Sequence, residues 1–165
     1  MGAKNHGVIM PDANKESTLN ALVGAAFGAA GQRCMALSTA VFVGDATEWV
    51  HDVAERASKL KVSAGHEAAA DVPPVISPES KQRINTLIAS AEKEGATILL
   101  DGRNVKVEDY PNGNFVGPTI ITNMKTNMEA YKNEIFGPVL CVLSVDTLEE
   151  AIELVNRSET ENYFY

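Results

Sequence analysis

The sequence predicts an α/β domain in which helices pack on a layered β-sheet that is mostly parallel or mixed. Segments with the 3.6-residue apolar spacing of amphipathic helices alternate along the chain with short apolar segments typical of strands. Two of those segments, residues 38–43 and 138–145, are almost continuously apolar, as expected of strands buried on both faces. With 165 residues and 45% hydrophobic content, the chain can bury one core and is too short for two ordinary domains.

The first strand and helix occupy the N-terminal part of the chain. A short apolar strand is expected within residues 1–10, and turn residues at 11–14 lead into a helix over 16–30. Glycines interrupt that helical pattern. Because glycine costs a helix about 1 kcal/mol relative to alanine, their repeated use predicts close packing or a ligand near the backbone. The predicted apolar face of this helix consists of Leu19, Leu22, Val23, Ala26, Phe27 and Ala30.

The next unit is a strand followed by a crossover helix. The strand at 38–43 is closed by Gly44, and a helix is predicted from Asp45 to about Lys59. Glu48 stands three residues after Asp45, which is the spacing of a capping box at the start of a helix.

A long loop separates this unit from the next helix. Residues 62–76 hold glycine, aspartate and a Pro-Pro pair, and are predicted to be mostly loop. A helix then begins after Ser77, because serine caps helices and the proline that follows it is tolerated at the first helical position. Gly95 ends that helix, and a strand is expected over 96–100.

The C-terminal third contains strands and a last helix. Two short strands, 105–107 and 115–121, are predicted to pair around a turn at 111–113. The strand at 138–145 is followed by a helix that Asp146 is predicted to cap.

The composition excludes several classes of protein. A net charge of -8 argues against nucleic-acid binding, since that affinity is largely built from clustered Lys and Arg. No apolar run approaches the roughly 18 residues that cross a bilayer, and no signal-peptide pattern is present. The two cysteines do not resemble a disulfide framework, which favours a reducing compartment, and the three histidines lack the spacing of metal ligands. Cys141 is predicted to be a core residue and His6 a structural histidine.

The strongest candidate for chemistry is the Cys34 thiol. It follows the small-residue end of the first helix and stands directly beside Arg33. The thiolate is the nucleophilic form of cysteine, and a neighbouring cation favours it. A lone cysteine is more often a small buried residue, so the surrounding residues decide this question.

Those surrounding residues resemble a known family. Residues 27–34 resemble the active-site cysteine signature of the NAD(P)-dependent aldehyde dehydrogenases, and residues 134–138 resemble their second signature, about a hundred residues downstream. Residues 1–6, 31–38 and 114–120 are similar to the methylmalonate-semialdehyde dehydrogenase branch in particular. The resemblance covers nearly all of the chain up to about residue 156.

The resemblance implies a role for each matching residue. Cys34 would attack the aldehyde carbon, pass hydride to NAD and hold an acyl thioester that coenzyme A then receives. Arg33 would bind the substrate carboxylate, Glu134 the nicotinamide ribose, and Phe136 would pack near the nicotinamide. The backbone N–H of Cys34 would form half of an oxyanion hole whose other half comes from a segment upstream. The implied reaction turns a (methyl)malonate semialdehyde into propionyl-CoA or acetyl-CoA, in valine and pyrimidine catabolism.

The resemblance also implies what this chain lacks. Residues 1–165 correspond to an incomplete catalytic domain, without the family's N-terminal NAD-binding domain and without its C-terminal oligomerisation segment. We therefore expect negligible turnover from this chain alone, and a non-catalytic remnant or interaction module of the same fold is the alternative. Residues 71–75 depart from the family pattern. Intact members are homo-oligomers that act on small molecules, in the mitochondrial matrix in animals and in the cytoplasm in bacteria, and no targeting segment decides between these compartments.

Overall fold

The computed structural model describes residues 2–157, which fold around a five-stranded β-sheet of order β1-β2-β5-β4-β3. The first four strands of this order run parallel, and β3 lies antiparallel to β4 at one edge. The predicted α/β fold with a mixed, mostly parallel sheet is therefore confirmed. The strands are β1 His6–Ile9, β2 Thr39–Val43, β3 Thr97–Leu100, β4 Thr119–Thr122 and β5 Val139–Val145.

Among residues 2–157, five α-helices surround the sheet, and the first and third of them begin at polar caps visible in the sequence. The side chain of Asn14 accepts the N–H of Ser17, and the side chain of Ser77 accepts the N–H of Ser80, so each cap satisfies one otherwise unpaired helical donor. The helices are α1 Lys15–Phe27, α2 Val50–Ser58, α3 Pro78–Lys93, α4 Glu129–Lys132 and α5 Leu148–Asn156, with 3₁₀ helices at Gly28–Gly31 and Gly44–Trp49.

The core lies between the sheet and the helices. All five residues of β2 are buried, and so are the first five of β5, including Cys141, which confirms its predicted place in the core. On α1 the predicted apolar face is buried except for Val23, which is half-buried. Complete burial of a side chain such as Phe27 stabilises the fold by roughly 1.5–3 kcal/mol, so this face holds α1 on the sheet.

One predicted strand pairing is wrong. Residues 105–107 form no strand, and β4 pairs instead with β3 and β5. In that position Ile120 and Ile121 are completely buried. A local hairpin with the short, partly exposed 105–107 segment would bury less apolar surface, and so the long-range pairing is favoured.

Two predicted caps also differ from the structure. The segment after Gly44 begins as a 3₁₀ helix, and within the described residues Asp45 and Glu48 form no capping box. The cap of α5 is Thr147, one residue beyond the predicted Asp146. The Thr147 side chain accepts the N–H of Glu150, and the Glu150 carboxylate accepts the N–H of Asp146.

The sheet topology brings two distant segments together. β2 and β5 are parallel neighbours, so the chain enters both strands at the same end of the sheet, where the parallel strands begin. The contact extends to the residue before β2, where the Ser38 carbonyl accepts the N–H of Cys141 in β5 at 2.9 Å. Residues 34–38 and 134–138 therefore lie side by side. Among the helices of residues 2–157, none has the length and apolar character needed to cross a bilayer.

Candidate functional site

All four residues that the sequence singles out line one cavity at the end of the sheet where β2 and β5 begin. Cys34 and Arg33 come from the segment before β2, and Glu134 and Phe136 come from the segment before β5. Gly31 and Gly137 line the same cavity. The structure thus assembles both sequence segments into one site, although about a hundred residues separate them in the chain.

The turn that presents Cys34 has an unusual backbone. Ala29, Ala30 and Gly31 have φ values of 51°, 53° and 66°, so three consecutive residues adopt the left-handed conformation. Non-glycine residues in this region cost on the order of 1–3 kcal/mol each, and such strain tends to occur at functional sites. A Cβ at Gly31 would collide with the carbonyl of Gly137. The close packing predicted from the glycines is therefore present where the two site segments touch.

The Cys34 thiol is exposed, and hydrogen bonds from the buried Asn5 hold the backbone of its segment. The Asn5 amide donates to the Cys34 carbonyl at 2.7 Å and to the Ala36 carbonyl at 2.9 Å. The second thiol, Cys141, lies in the core, and burial raises its pKa. Cys34 is thus the thiol available to a ligand from solution.

Arg33 folds back onto the end of α1. Its Nη2 donates to the carbonyls of Gly24 and Ala25, at 3.2 Å in each case. Both carbonyls also accept a backbone N–H, that of Gly28 on Gly24 and that of Leu37 on Ala25, so the guanidinium is a second donor to each of them at the negative end of the helix. Because both bonds use one of the three guanidinium nitrogens, they commit only part of its donor fork.

The backbone around Glu134 is fixed by a cation on α3. The Arg83 guanidinium donates to the Glu134 carbonyl at 2.8 Å and also to the Ile135 carbonyl. The Glu134 side chain is half-buried, and its Oε2 would lie 3.2 Å from a Cβ placed at Gly2. The carboxylate is therefore held next to the start of the chain while it lines the cavity.

A buried lysine secures the segment that leads into Glu134. Lys4 is completely buried, and its Nζ donates to the Ala130 carbonyl at 2.6 Å and to the Asn133 carbonyl at 3.1 Å. Burial lowers the pKa of this ammonium group. His6 donates from Nδ1 to the Lys4 carbonyl at 2.7 Å and contacts the Tyr131 hydroxyl through Nε2 at 2.9 Å, which confirms its predicted structural role.

Phe136 presents an aromatic surface at the mouth of the cavity. The residue is 39% exposed, and its φ of 52° is a left-handed value that a bulky residue rarely adopts. An exposed aromatic ring beside a half-buried carboxylate suits a flat ligand that carries hydroxyl groups. Within residues 2–157, no cluster of His, Cys, Asp and Glu could hold a metal ion.

Sequence reasoning missed several residues that build the site. Lys4, Asn5 and Arg83 act through contacts with backbone carbonyls far away in the chain, and no local pattern in one sequence marks such contacts. Gln32 is a further case: its side chain donates to the Pro74 carbonyl at 3.3 Å and accepts the Ile76 N–H at 2.9 Å. These two hydrogen bonds join the loop that contains Pro73 and Pro74 to the residues just before Cys34.

The sequence of this chain is similar to those of known proteins. Residues 1–162 match the model of the aldehyde dehydrogenase family. The chain is 67% identical over 156 residues to the methylmalonate-semialdehyde/malonate-semialdehyde dehydrogenase of Bos taurus, described as acylating and mitochondrial. The match covers 94% of this chain and 29% of the bovine protein, so the chain spans less than a third of that relative's length.

Two solved structures have the same fold. The methylmalonate-semialdehyde dehydrogenase of Oceanimonas doudoroffii superposes with a TM-score of 0.94 at 43% identity, over 99% of this chain and 34% of that one. The betaine aldehyde dehydrogenase of Staphylococcus aureus, in complex with NAD+, superposes with a TM-score of 0.90 at 34% identity, over 94% of this chain and 31% of that one.

Proposed function

Because this chain belongs to the aldehyde dehydrogenase family, we propose that it is the thiol-bearing part of an NAD-dependent, CoA-acylating (methyl)malonate-semialdehyde dehydrogenase. The observation that carries the proposal is the shared cavity, which the exposed Cys34 lines together with Arg33, Glu134 and Phe136. The bovine relative's name supports the substrate class and the acyl acceptor, since it is an acylating enzyme of these two semialdehydes.

In this proposal Cys34 is the nucleophile. Its thiolate adds to the aldehyde carbon, a C–S bond forms, and the carbonyl oxygen takes up a proton to give a thiohemiacetal. After oxidation the carbon is a thioester on Cys34, which remains activated for attack by the thiol of coenzyme A. On the route to propionyl-CoA or acetyl-CoA the bond between the α-carbon and the substrate carboxylate breaks, carbon dioxide leaves, and the α-carbon keeps the electron pair and takes up a proton. A thioester intermediate explains why a cysteine, and not a serine, stands at this position.

Arg33 is the proposed carboxylate-binding residue. Arg33 lines the cavity, and its bonds to the end of α1 leave two of the guanidinium nitrogens outside those bonds. A guanidinium fork matches the geometry of a carboxylate, and such charge-assisted bonds are stronger than neutral ones. Selectivity for semialdehydes that carry a carboxylate follows from this placement.

The residues of the second segment fit the nicotinamide ribose end of NAD. The Glu134 carboxylate can accept hydrogen bonds from ribose hydroxyls, and the exposed Phe136 ring offers a face for a planar group. NAD, when bound, supplies the hydride acceptor. The NAD+ complex of the Staphylococcus aureus relative supports this assignment.

Complete turnover in this proposal needs residues beyond the matched segment, since the chain spans 29% of the bovine relative. The chain alone is accordingly expected to form little NADH. The mitochondrial bovine relative supports a mitochondrial location for a eukaryotic source, and a bacterial source would place the protein in the cytoplasm.

The first test measures how aldehydes protect Cys34 from alkylation. Methylmalonate semialdehyde is compared with 2-methylpropanal, in which a methyl group replaces the carboxylate, and the label on Cys34 is measured by peptide mass spectrometry. Half-protection should require at least about tenfold less semialdehyde, because a hydrogen-bonded ion pair with Arg33 contributes on the order of 1.5–3 kcal/mol. NAD is absent, so the readout reports only addition of the aldehyde to the thiol.

The matched variant is Arg33→Gln, which keeps hydrogen-bonding capacity and removes the charge. It should abolish the advantage of the semialdehyde and leave protection by 2-methylpropanal unchanged. Equal protection by both aldehydes in the unmodified chain would rule out the role of Arg33. No protection by either one would rule out Cys34 as the aldehyde-binding thiol.

A further inference from the structure

Two consecutive residues, Lys4 and Asn5, hold the two halves of the cavity. The Asn5 side chain donates to the carbonyls of Cys34 and Ala36, and the Asn5 carbonyl accepts the Thr39 N–H at 3.0 Å. The Ser38 hydroxyl also donates to the Asn5 carbonyl at 3.2 Å, so four hydrogen bonds join Asn5 to residues 34–39. Its side chain is almost completely buried, with 2% exposure.

Lys4 holds the other half. Its side-chain nitrogen donates to the carbonyl of Ala130, inside α4, and to that of Asn133, the residue immediately before Glu134. No acidic side chain within the described residues forms an ion pair with it. Lys4 is thus a buried lysine whose side chain donates to main-chain carbonyls of residues 130–133.

A gain in folding stability does not by itself explain a completely buried lysine at this position. Removing an ammonium group from water costs several kcal/mol, and apolar replacements of buried charged groups are often neutral or stabilising. Placement of the Glu134 segment gives a better reason for the buried charge. Reacting groups must be held within about half an ångström of their productive positions, and loops reach that precision only when other residues lock them.

The position of the pair along the chain supports the same reading. Lys4 and Asn5 directly precede β1, whose ladder with β2 begins at the His6 and Thr39 pair. The sheet therefore fixes the backbone of both residues. The side chains of these two adjacent residues therefore contact, from one fixed stretch of backbone, two segments that lie about a hundred residues apart in the sequence.

We propose that Lys4 and Asn5 are positioning residues that set the spacing between the Cys34 thiol and the Glu134 carboxylate. Asn5 fixes the thiol segment, defined as residues 34–38, and Lys4 fixes the carboxylate segment, defined as residues 130–135. The functional meaning of this spacing rests on the proposed function, in which the thiol and the carboxylate serve one reaction. The structural part of the proposal is that each residue fixes one segment and not the other. This part can be measured without substrate.

The test is amide hydrogen exchange by mass spectrometry on the full chain and on two variants, Asn5→Ser and Lys4→Met. Each segment holds reporter amides in internal hydrogen bonds, such as Ala36 N–H to Arg33 and Asn133 N–H to Glu129. Asn5→Ser should accelerate exchange about tenfold in the thiol segment and leave the carboxylate segment unchanged. Lys4→Met should do the reverse. A factor of ten corresponds to about one hydrogen bond of ordinary net strength.

Two further variants separate positioning from general loss of stability. Lys61→Met removes an exposed lysine that also donates to a main-chain carbonyl, that of Ala68, and should alter neither segment. Lys4→Arg retains donors and should restore protection of the carboxylate segment at least in part. Should Lys4→Met fail to fold, Lys4→Arg and Asn5→Ser still give the comparison between the two segments.

Equal acceleration of both segments in both variants, or no acceleration in either segment, would overturn the inference. The iodoacetamide rate constant of Cys34 adds a chemical readout, which should change at least threefold in Asn5→Ser and stay within that factor in Lys4→Met. Separate segmental effects in a chain whose thiol shows no aldehyde protection would leave the positioning intact and defeat the proposed reaction. The two failures are therefore distinguishable.

Discussion

Replacing Cys34 with alanine is expected to lower kcat at least about a thousandfold when residues 2–157 of this chain replace the matched segment of the bovine relative. The chimera supplies the parts of the site that lie outside the matched segment, which covers 29% of that protein. Removing the nucleophile of a covalent mechanism eliminates the intermediate itself, and such losses are among the largest that single substitutions cause. Activity is followed as NADH formed from methylmalonate semialdehyde, NAD and coenzyme A.

The matched control is Cys141→Ala in the same chimera. Cys141 is completely buried and does not line the cavity, so its truncation should cost about 1 kcal/mol of stability and leave kcat within about twofold. NADH formation by Cys34→Ala at a rate near that of the parent chimera would show that Cys34 is not the nucleophile.

Gly31→Ala should destabilise the fold by roughly 3 kcal/mol or more. The added Cβ would collide with the Gly137 carbonyl, and at a φ of 66° an alanine is strained even without that contact. Both obstacles involve backbone atoms, which cannot move away as the end of a flexible side chain can. The free energy of unfolding is measured by urea titration monitored by circular dichroism.

Gly24→Ala is the paired control, because it makes the same chemical change seven positions earlier. Gly24 lies within α1, and a Cβ there meets no atom within 4 Å. Alanine should therefore stabilise the chain, by up to about 1 kcal/mol. If Gly31→Ala unfolds at the same urea concentration as the parent, the close contact between the two site segments does not exist in solution.

Much of the fold follows from local patterns. The strands at 38–43 and 138–145 are predictable because continuous apolar runs suit central parallel strands, and α3 is predictable from its Ser77 cap and proline start. The pairing of β4 is not, because hairpin signals at 111–113 favour a local partner while burial of Ile120 and Ile121 favours a distant one. Tertiary burial outweighs the local signal in that case.

The candidate site, like the fold, is only partly predictable from the sequence. Cys34 and Glu134 stand in recognisable sequence segments, and the parallel pairing of β2 with β5 explains why those segments meet. Lys4, Asn5 and Arg83 hold the site through backbone carbonyls, and a carbonyl carries no residue identity that a sequence could reveal. A buried lysine at position 4 also contradicts the usual exposure of lysine, so composition would place it at the surface.

The most direct test of the account is acyl transfer from propionyl-CoA to Cys34 in this chain itself. The thiolate attacks the thioester carbonyl, a new C–S bond forms, and coenzyme A leaves with its sulfur and takes up a proton, so neither NAD nor an oxidant is needed. We predict propionylation of Cys34 at least about tenfold faster than in the same chain unfolded in urea, with Cys141 unmodified in the folded chain. A folded chain that reacts no faster than the unfolded one would contradict the claim that these two segments build an acyl-transfer site.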